Sequence, residues 1–273
     1  EEEIEKEKRV VIEEIKMYED SPDEIIHDLF SDSVWNDHPL GRPILGTEES
    51  IKGLSKEKIQ TYMNQHYSPD NLVIAVAGKI KHEDVLKKLA PIYGQFQRGG
   101  RRIIEGTPVG HQVNKMIYRD TEQMHLILGV QGLGQEDKDI FPMHIINNVL
   151  GGGLSSRLFQ EVREQRGMAY TVFSYHSTYV DTGLFAIYAG TTPSNSREVV
   201  ECILGEILDI KANSLTEEEL ERTKSQIKGS LYLGLESIGS RMSRLGKTEL
   251  TYNRLITPEE VVEKLERVTL EDV

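Results

Sequence analysis

The sequence has one cysteine, Cys202, in 273 residues. A single thiol excludes an internal disulfide and a cysteine-based zinc knuckle, and it suits a reducing, cytoplasmic setting. No apolar run approaches the roughly 20 residues that a membrane-spanning helix needs, so no membrane partner is expected. Positive charge is short: 32 Lys+Arg stand against 45 Asp+Glu, a formal net charge of −13. Such a balance argues against nucleic acid and anionic membranes as partners, although it leaves room for a local basic cleft. The start, EEEIEKEKR, lacks both a secretory-type leader and an initiator methionine. It reads as the middle of a helix, which leads us to expect a fragment or a processed chain.

Several catalytic signatures are also missing. The eight histidines are His27, His38, His66, His82, His111, His125, His144 and His176. No two are spaced i,i+3 or i,i+4, and neither H-x-x-E-H nor H-E-x-x-H occurs. The chain as given therefore cannot supply a self-contained histidine zinc site. There is no G-x-S-x-G, and Cys202 sits in VVECILGEIL, where an inert buried thiol is the simpler reading. The triple glycine 151–153 lacks a P-loop lysine and follows a helix. It reads as a flexible helix end and a hinge.

What is present is ordinary globular grammar. Residues 1–19 read as a helix with Ile4, Val11, Ile12 and Ile15 on one side. Ser21-Pro22-Asp23-Glu24 starts a second helix, 38–50 is a Gly/Pro loop, and Ser55–Tyr67 is a helix with a capping-box start. NLVIAVAG (71–78) is almost wholly apolar, so a buried, central strand is expected. HEDVLKKLAPIYG is a helix whose His82 suits cap chemistry. Residues 94–112, rich in Gly and Arg, read as an interdomain linker. Beyond it, 116–120 and 124–132 read as strands, DIFPMHIINNVLGG as a helix and 170–191 as a hairpin. Further helices then follow, with Thr216 as a cap. The expected class is α+β: two similar domains, each a mostly antiparallel sheet packed with helices, in a clam-like arrangement.

Two places could carry chemistry. Glu7 and Glu14 are seven residues apart, and at about 100° per residue both carboxylates leave one side of the first helix. Such a pair could bind a metal and orient its shell, but a segment this rich in glutamate makes i,i+7 pairs by chance. The second place is GGGLSSRLFQEVREQRGMAYTV (151–172), which gathers Arg157, Arg163 and Arg166, breaks at Gly167 and turns β-rich. Arg163 at a helix end and Tyr170 on the next strand are donors suited to peptide carbonyls or a developing oxyanion. The plain alternative is a surface ion pair and a core tyrosine with a wet hydroxyl.

These phrases, together with IEKEKRVVIEEIKMYEDSPDE, the stretch from His38 to Gly78 and SIGSRMSRLGKTEL, closely resemble the pitrilysin-type, inverted-zincin peptidases. That family includes the mitochondrial processing peptidase β subunit, its bacterial relatives and insulin-degrading enzyme. The likeness runs over essentially the whole chain and is nearest to the bacterial processing-protease branch. It implies a Zn2+ endopeptidase of peptides or presequences, with Glu14 as the third zinc ligand and Glu7 assisting the metal site. It also implies that Arg163 and Tyr170 contact the substrate backbone or the oxyanion. The two histidine ligands and the general-base glutamate are absent from this sequence, so the chain alone is expected to be inactive. The implied organisation is 1–96 as the end of a zinc-site domain, 97–112 as linker and 113–273 as the second domain. A peptide is the expected partner, and a homodimer is left open. The competing expectation is a non-catalytic peptide-binding or scaffold subunit. The protease reading requires Glu14 to face Arg163 and Tyr170 across one groove.

Overall fold

The structure is a computed structural model that describes residues 1–36, 38–95 and 106–273. It is helix-rich with a small antiparallel sheet, and so α+β. In chain order the first half holds α1 (Glu2–Glu19), α2 (Pro22–Val34), α3 (Glu48–Lys52), α4 (Lys56–His66) and α5 (His82–Tyr93). The second half holds β1 (Met124–Gly132), α6 (Ile140–Gly151), a π-helical turn (Phe159–Gln165), β2 (Ala169–Thr178) and β3 (Gly183–Thr191). It continues with α7 (Ser196–Asn213), α8 (Glu217–Gly234), α9 (Ile238–Tyr252) and α10 (Pro258–Glu266).

The strand order is β1-β3-β2, every pairing antiparallel. β3 is central and reads GLFAIYAGT, apolar almost throughout, because both of its faces are covered. Ile187 and Ala189 point into a core shared with Leu150, Leu158, Val162, Val172, Val199 and Ile203, supplied by the end of α6, the π turn and the residue before it, β2 and α7. On the opposite face Leu184 meets Val34 and Trp35 of the α2 end, with Phe30 packed beside them. The Trp35 ring stands edge-to-face on Tyr179 at 5.5 Å. Three layers therefore result: helix α2, the sheet, and the α6–α7 side. A second core, Ile145, Val149, Leu215, Leu220, Leu265 and Val268, ties α6 to α8 and α10.

Local signals account for the helix starts. Thr216 and Thr257 accept from the N–H groups of Glu219 and Glu260, and Glu219 returns the bond to complete a capping box. Ser55 accepts from Lys58 N–H, but a lysine at that position cannot return the bond, so the expected box is half of one. The loop expected over 38–50 is shorter, because Thr47 caps α3 with a full box. His82 makes no cap bond and is the first residue of α5 after Lys81.

Two expected strands are absent among the described residues. Residues 116–120 join no ladder, and Met116 and Tyr118 lie open to solvent. Residues 72–77 join no ladder, and Leu72, Ile74 and Val76 are each about two-fifths exposed. Their alternation is that of a strand with one face packed, yet no neighbour here supplies the backbone partners that a central strand needs. The first half therefore has no sheet among its described residues, and two similar sheet domains are not seen. The expected linker core, 96–105, lies outside the described residues.

Candidate functional site

The segment from Gly151 to Val172 is built by a succession of backbone irregularities. α6 ends against β2: a Cβ on Gly151 would stand 2.2 Å from the backbone nitrogen of Ser174. Gly151 is therefore required by close packing, and the expected helix end is there: Gly152 is the C-cap of α6, at φ −85° and so outside the left-handed region. The chain then enters the π turn with Leu158 and Val162 fully buried. π turns are rare and are frequently found at functional sites. Gly167, at φ +60°, closes it. Its N–H donates to Arg163 O, and Met168 N–H donates to Val162 O. This resembles the usual glycine-capped helix end, widened by one residue as a π turn requires.

β2 begins with a bulge. Ala169 pairs with Thr191 and Thr171 with Gly190, so Tyr170 is skipped. A bulge leaves one residue unpaired and re-aims its side chain. Tyr170 is 63% exposed, and its hydroxyl has no hydrogen-bond partner among the described residues.

The three arginines separate by partner. Arg157 makes a two-pronged bond to Glu219 at 2.7 and 2.9 Å and a third to Asp209 at 2.7 Å. This hydrogen bonding holds the Glu219 carboxyl down at about 2. Arg157 therefore ties the site segment to α7 and α8. Arg166 pairs with Glu161 and Glu198. Arg163 has no carboxylate partner among the described residues; its guanidinium lies over the Phe159 ring, 4.9 Å from the centroid.

Glu7 and Glu14 are both exposed on α1, next to the exposed apolar Val10 and Met17. Lys8 and Lys16 pair with Glu5 and Glu13 instead, which leaves Glu7 and Glu14 unpaired among the described residues. α1 packs on α2 and α3, and α2 packs on β1. No hydrogen bond or ion pair among the described residues joins α1 to the Arg163–Tyr170 segment, so the facing of Glu14 towards that pair is not seen as a contact. Among the described residues, no three His, Cys, Asp or Glu side chains form a group that could hold a metal ion. The residues present do not by themselves fit a zinc ion; Glu14 offers one carboxylate.

Three polar pairs involve histidines that look isolated in the sequence. His27 Nδ1 and Tyr175 Oη are 2.9 Å apart, His125 Nδ1 and Tyr188 Oη 2.7 Å, and His144 Nδ1 and His176 Nε2 2.7 Å. The first joins α2 to the sheet. Burial, then the neighbouring His176, pushes His144 down to about 4. Burial raises the Tyr175 and Tyr188 hydroxyls to about 12. No local motif announces these pairs, because each joins residues far apart in sequence. Cys202 is half-buried rather than buried, and burial pushes its thiol up. No helix among the described residues is long and apolar enough to cross a membrane.

Comparison with known proteins adds a family model described as "Peptidase M16 inactive domain", which matches residues 53–227. Arg163 and Tyr170 fall inside the match, Glu7 and Glu14 before it. The chain is 44% identical over 273 residues to the uncharacterized zinc protease YmxG of Bacillus subtilis, covering all of this chain and 66% of that protein. It is 38% identical over 285 residues to an uncharacterized zinc protease of Streptomyces coelicolor, again along its whole length and over 61% of that protein. It thus spans a little under two thirds of these relatives. Among solved structures, an M16 inactive-domain protein from Pseudomonas fluorescens superposes with a TM-score of 0.91 at 22% identity, covering 99% of this chain and 65% of that one. A protease from Helicobacter pylori gives 0.88 at 20%, covering 100% of this chain and 68% of that one. A chain of complex III2 from Candida albicans gives 0.86 at 19%, covering 98% of this chain and 66% of that one.

Proposed function

This chain belongs to the M16 peptidase family, and on that premise we propose that it forms one wall of the peptide groove of a zinc-dependent endopeptidase. Relatives along its whole length carry the name zinc protease. The observation that supports the proposed role is the state of two side chains. A π turn and a bulge leave Arg163 without a carboxylate and Tyr170 without a hydrogen-bond partner, seven residues apart and both open to solvent. Elsewhere in the same segment the arginines are consumed by ion pairs.

In this reading the Tyr170 O–H and the Arg163 N–H groups donate to backbone carbonyls of an extended peptide, and to the charge that develops on the carbonyl oxygen under attack. A single donor of that kind contributes roughly 3 kcal/mol to transition-state stabilisation. Glu14 is the carboxylate that would bind the metal in this reading, with Glu7 two turns earlier on the same helix. The remaining ligands would have to come from outside them, because no three-ligand group exists among the described residues. The chain alone should therefore show no chelator-sensitive cleavage. The net charge of −13 favours basic peptides such as presequences as substrates.

The test is Tyr170→Phe in the whole protein. Turnover should fall by about a hundredfold while zinc content stays that of the parent. An unchanged rate would remove Tyr170 from the mechanism. A non-catalytic scaffold is the alternative, and an H-x-x-E-H helix in the whole protein separates the two.

A further inference from the structure

We propose that Phe159 is a positioning residue that holds the Arg163 guanidinium ready for a peptide; this rests on the peptide-groove reading above. Phe159 opens the π turn and is half-buried, and it follows the fully buried Leu158 and precedes the fully buried Val162 in the chain. Its ring lies 4.9 Å from the Arg163 guanidinium carbon. That is inside the roughly 6 Å over which a ring face attracts a cation.

An arginine that must bind a transient ligand faces a conflict. Left free, it loses rotamer entropy on each binding event; paired with a carboxylate, it is spent. Acids are at hand around this segment: Glu161 and Glu198 are engaged by Arg166, Glu206, Asp209 and Glu219 surround Arg157, and Glu164, the next residue in the chain, forms no ion pair with Arg163. A ring face resolves the conflict, because it restrains the guanidinium while leaving its N–H groups, which lie in the guanidinium plane, free to donate. The π turn contributes as well. It advances less per residue than an α-helix, so the spacing of residues 159 and 163 around the turn differs from that on an ordinary helix face. The closing Gly167 and the bulge at Tyr170 then begin immediately downstream. Phe159 does not touch the peptide in this scheme; it acts through Arg163.

The experiment uses the 273-residue chain, with two readouts. The first is the proton shift of the Arg163 side-chain methylenes, which a ring current moves upfield. The shift should be present in the parent, lost in Phe159→Leu and kept in Phe159→Tyr. The second is binding of fluorescein-labelled β-casein, an unfolded polypeptide. Phe159→Leu should weaken it about two- to fivefold, the value of an exposed cation–π contact. Phe159→Tyr should restore it, and Phe159→Leu should add nothing on an Arg163→Ala background. An Arg163 shift that is absent in the parent, or unmoved by Phe159→Leu, overturns the positioning role. Binding weakened by Arg163→Ala but not by Phe159→Leu overturns it alone. Binding indifferent to Arg163→Ala overturns the peptide-groove reading beneath it.

Discussion

Acidification should destabilise this protein through a histidine that takes no part in the proposed chemistry. His144 is buried against His176, and its pKa falls from 6.5 to about 4. A histidine with a lowered native pKa binds protons more readily when unfolded. Its contribution is therefore complete above pH 6.5, and it erodes as pH falls from there towards 4. Over that window, at about 1.36 kcal/mol per pH unit, the loss is about 3 kcal/mol. Set against a usual stability of about 5–15 kcal/mol, this is a large share. His27, His125 and His176 are also lowered by burial, so they act in the same direction. Glu219 and Glu260, held at about 2 by their bonds to Arg157 and Arg254, mainly erode stability at lower pH. The assay is urea unfolding followed by the fluorescence of Trp35, the single tryptophan and 1% exposed, at steps from pH 7.5 to 4.5. His144→Gln keeps a polar side chain that does not titrate, so its stability should fall much less over the same range. Parallel curves for parent and variant would show that the His144–His176 pair is not the titrating element.

Other perturbations give independent checks. Arg157→Ala removes three short bonds to Glu219 and Asp209 and should cost about 2 kcal/mol in urea unfolding; a cost near zero would mean that the cluster is a solvated surface pair. Gly151→Ala must push the α6 end away from Ser174 and should cost about 2–3 kcal/mol. Gly153→Ala, whose nearest contact is 3.6 Å away at Gln226, should leave the melting temperature nearly unchanged. Equal melting points for the two variants would contradict the packing described here. In the whole protein, basic peptides should be cleaved faster than acidic ones of equal length, and equal rates would dismiss the charge argument.

Much of the scaffold can be read from local chemistry. Thr216 and Thr257 announce their helices because a cap is a contact between residues three apart. The β2–β3 hairpin is legible from its two apolar runs and the short turn between them, and Gly167 marks the break that its φ of +60° confirms. What the sequence conceals is non-local or subtle. Residues 71–78 look like a central strand because their side chains are apolar, but a ladder depends on a neighbour that no side chain names. The histidine pairs depend on how β2 sits against α2 and α6, and on the register of β1 against β3. Nothing in FQEVREQ distinguishes a π turn from an α-helix, and nothing in MAYTV marks the residue that the ladder will skip. Those two irregularities, which release Arg163 and Tyr170, are the features of the candidate site that only coordinates reveal.

The seating of α2 on the sheet also bears on any attempt to divide the molecule. Val34 and Trp35 share a dry interior with Leu184, from opposite sides of the glycine- and arginine-rich stretch. Severing the chain between residues 95 and 106 would give one piece with a bare indole and another with an uncovered sheet face. Co-expressed, the two halves would carry matching surfaces, the starting point for a split reporter whose reassembly needs no fused tether.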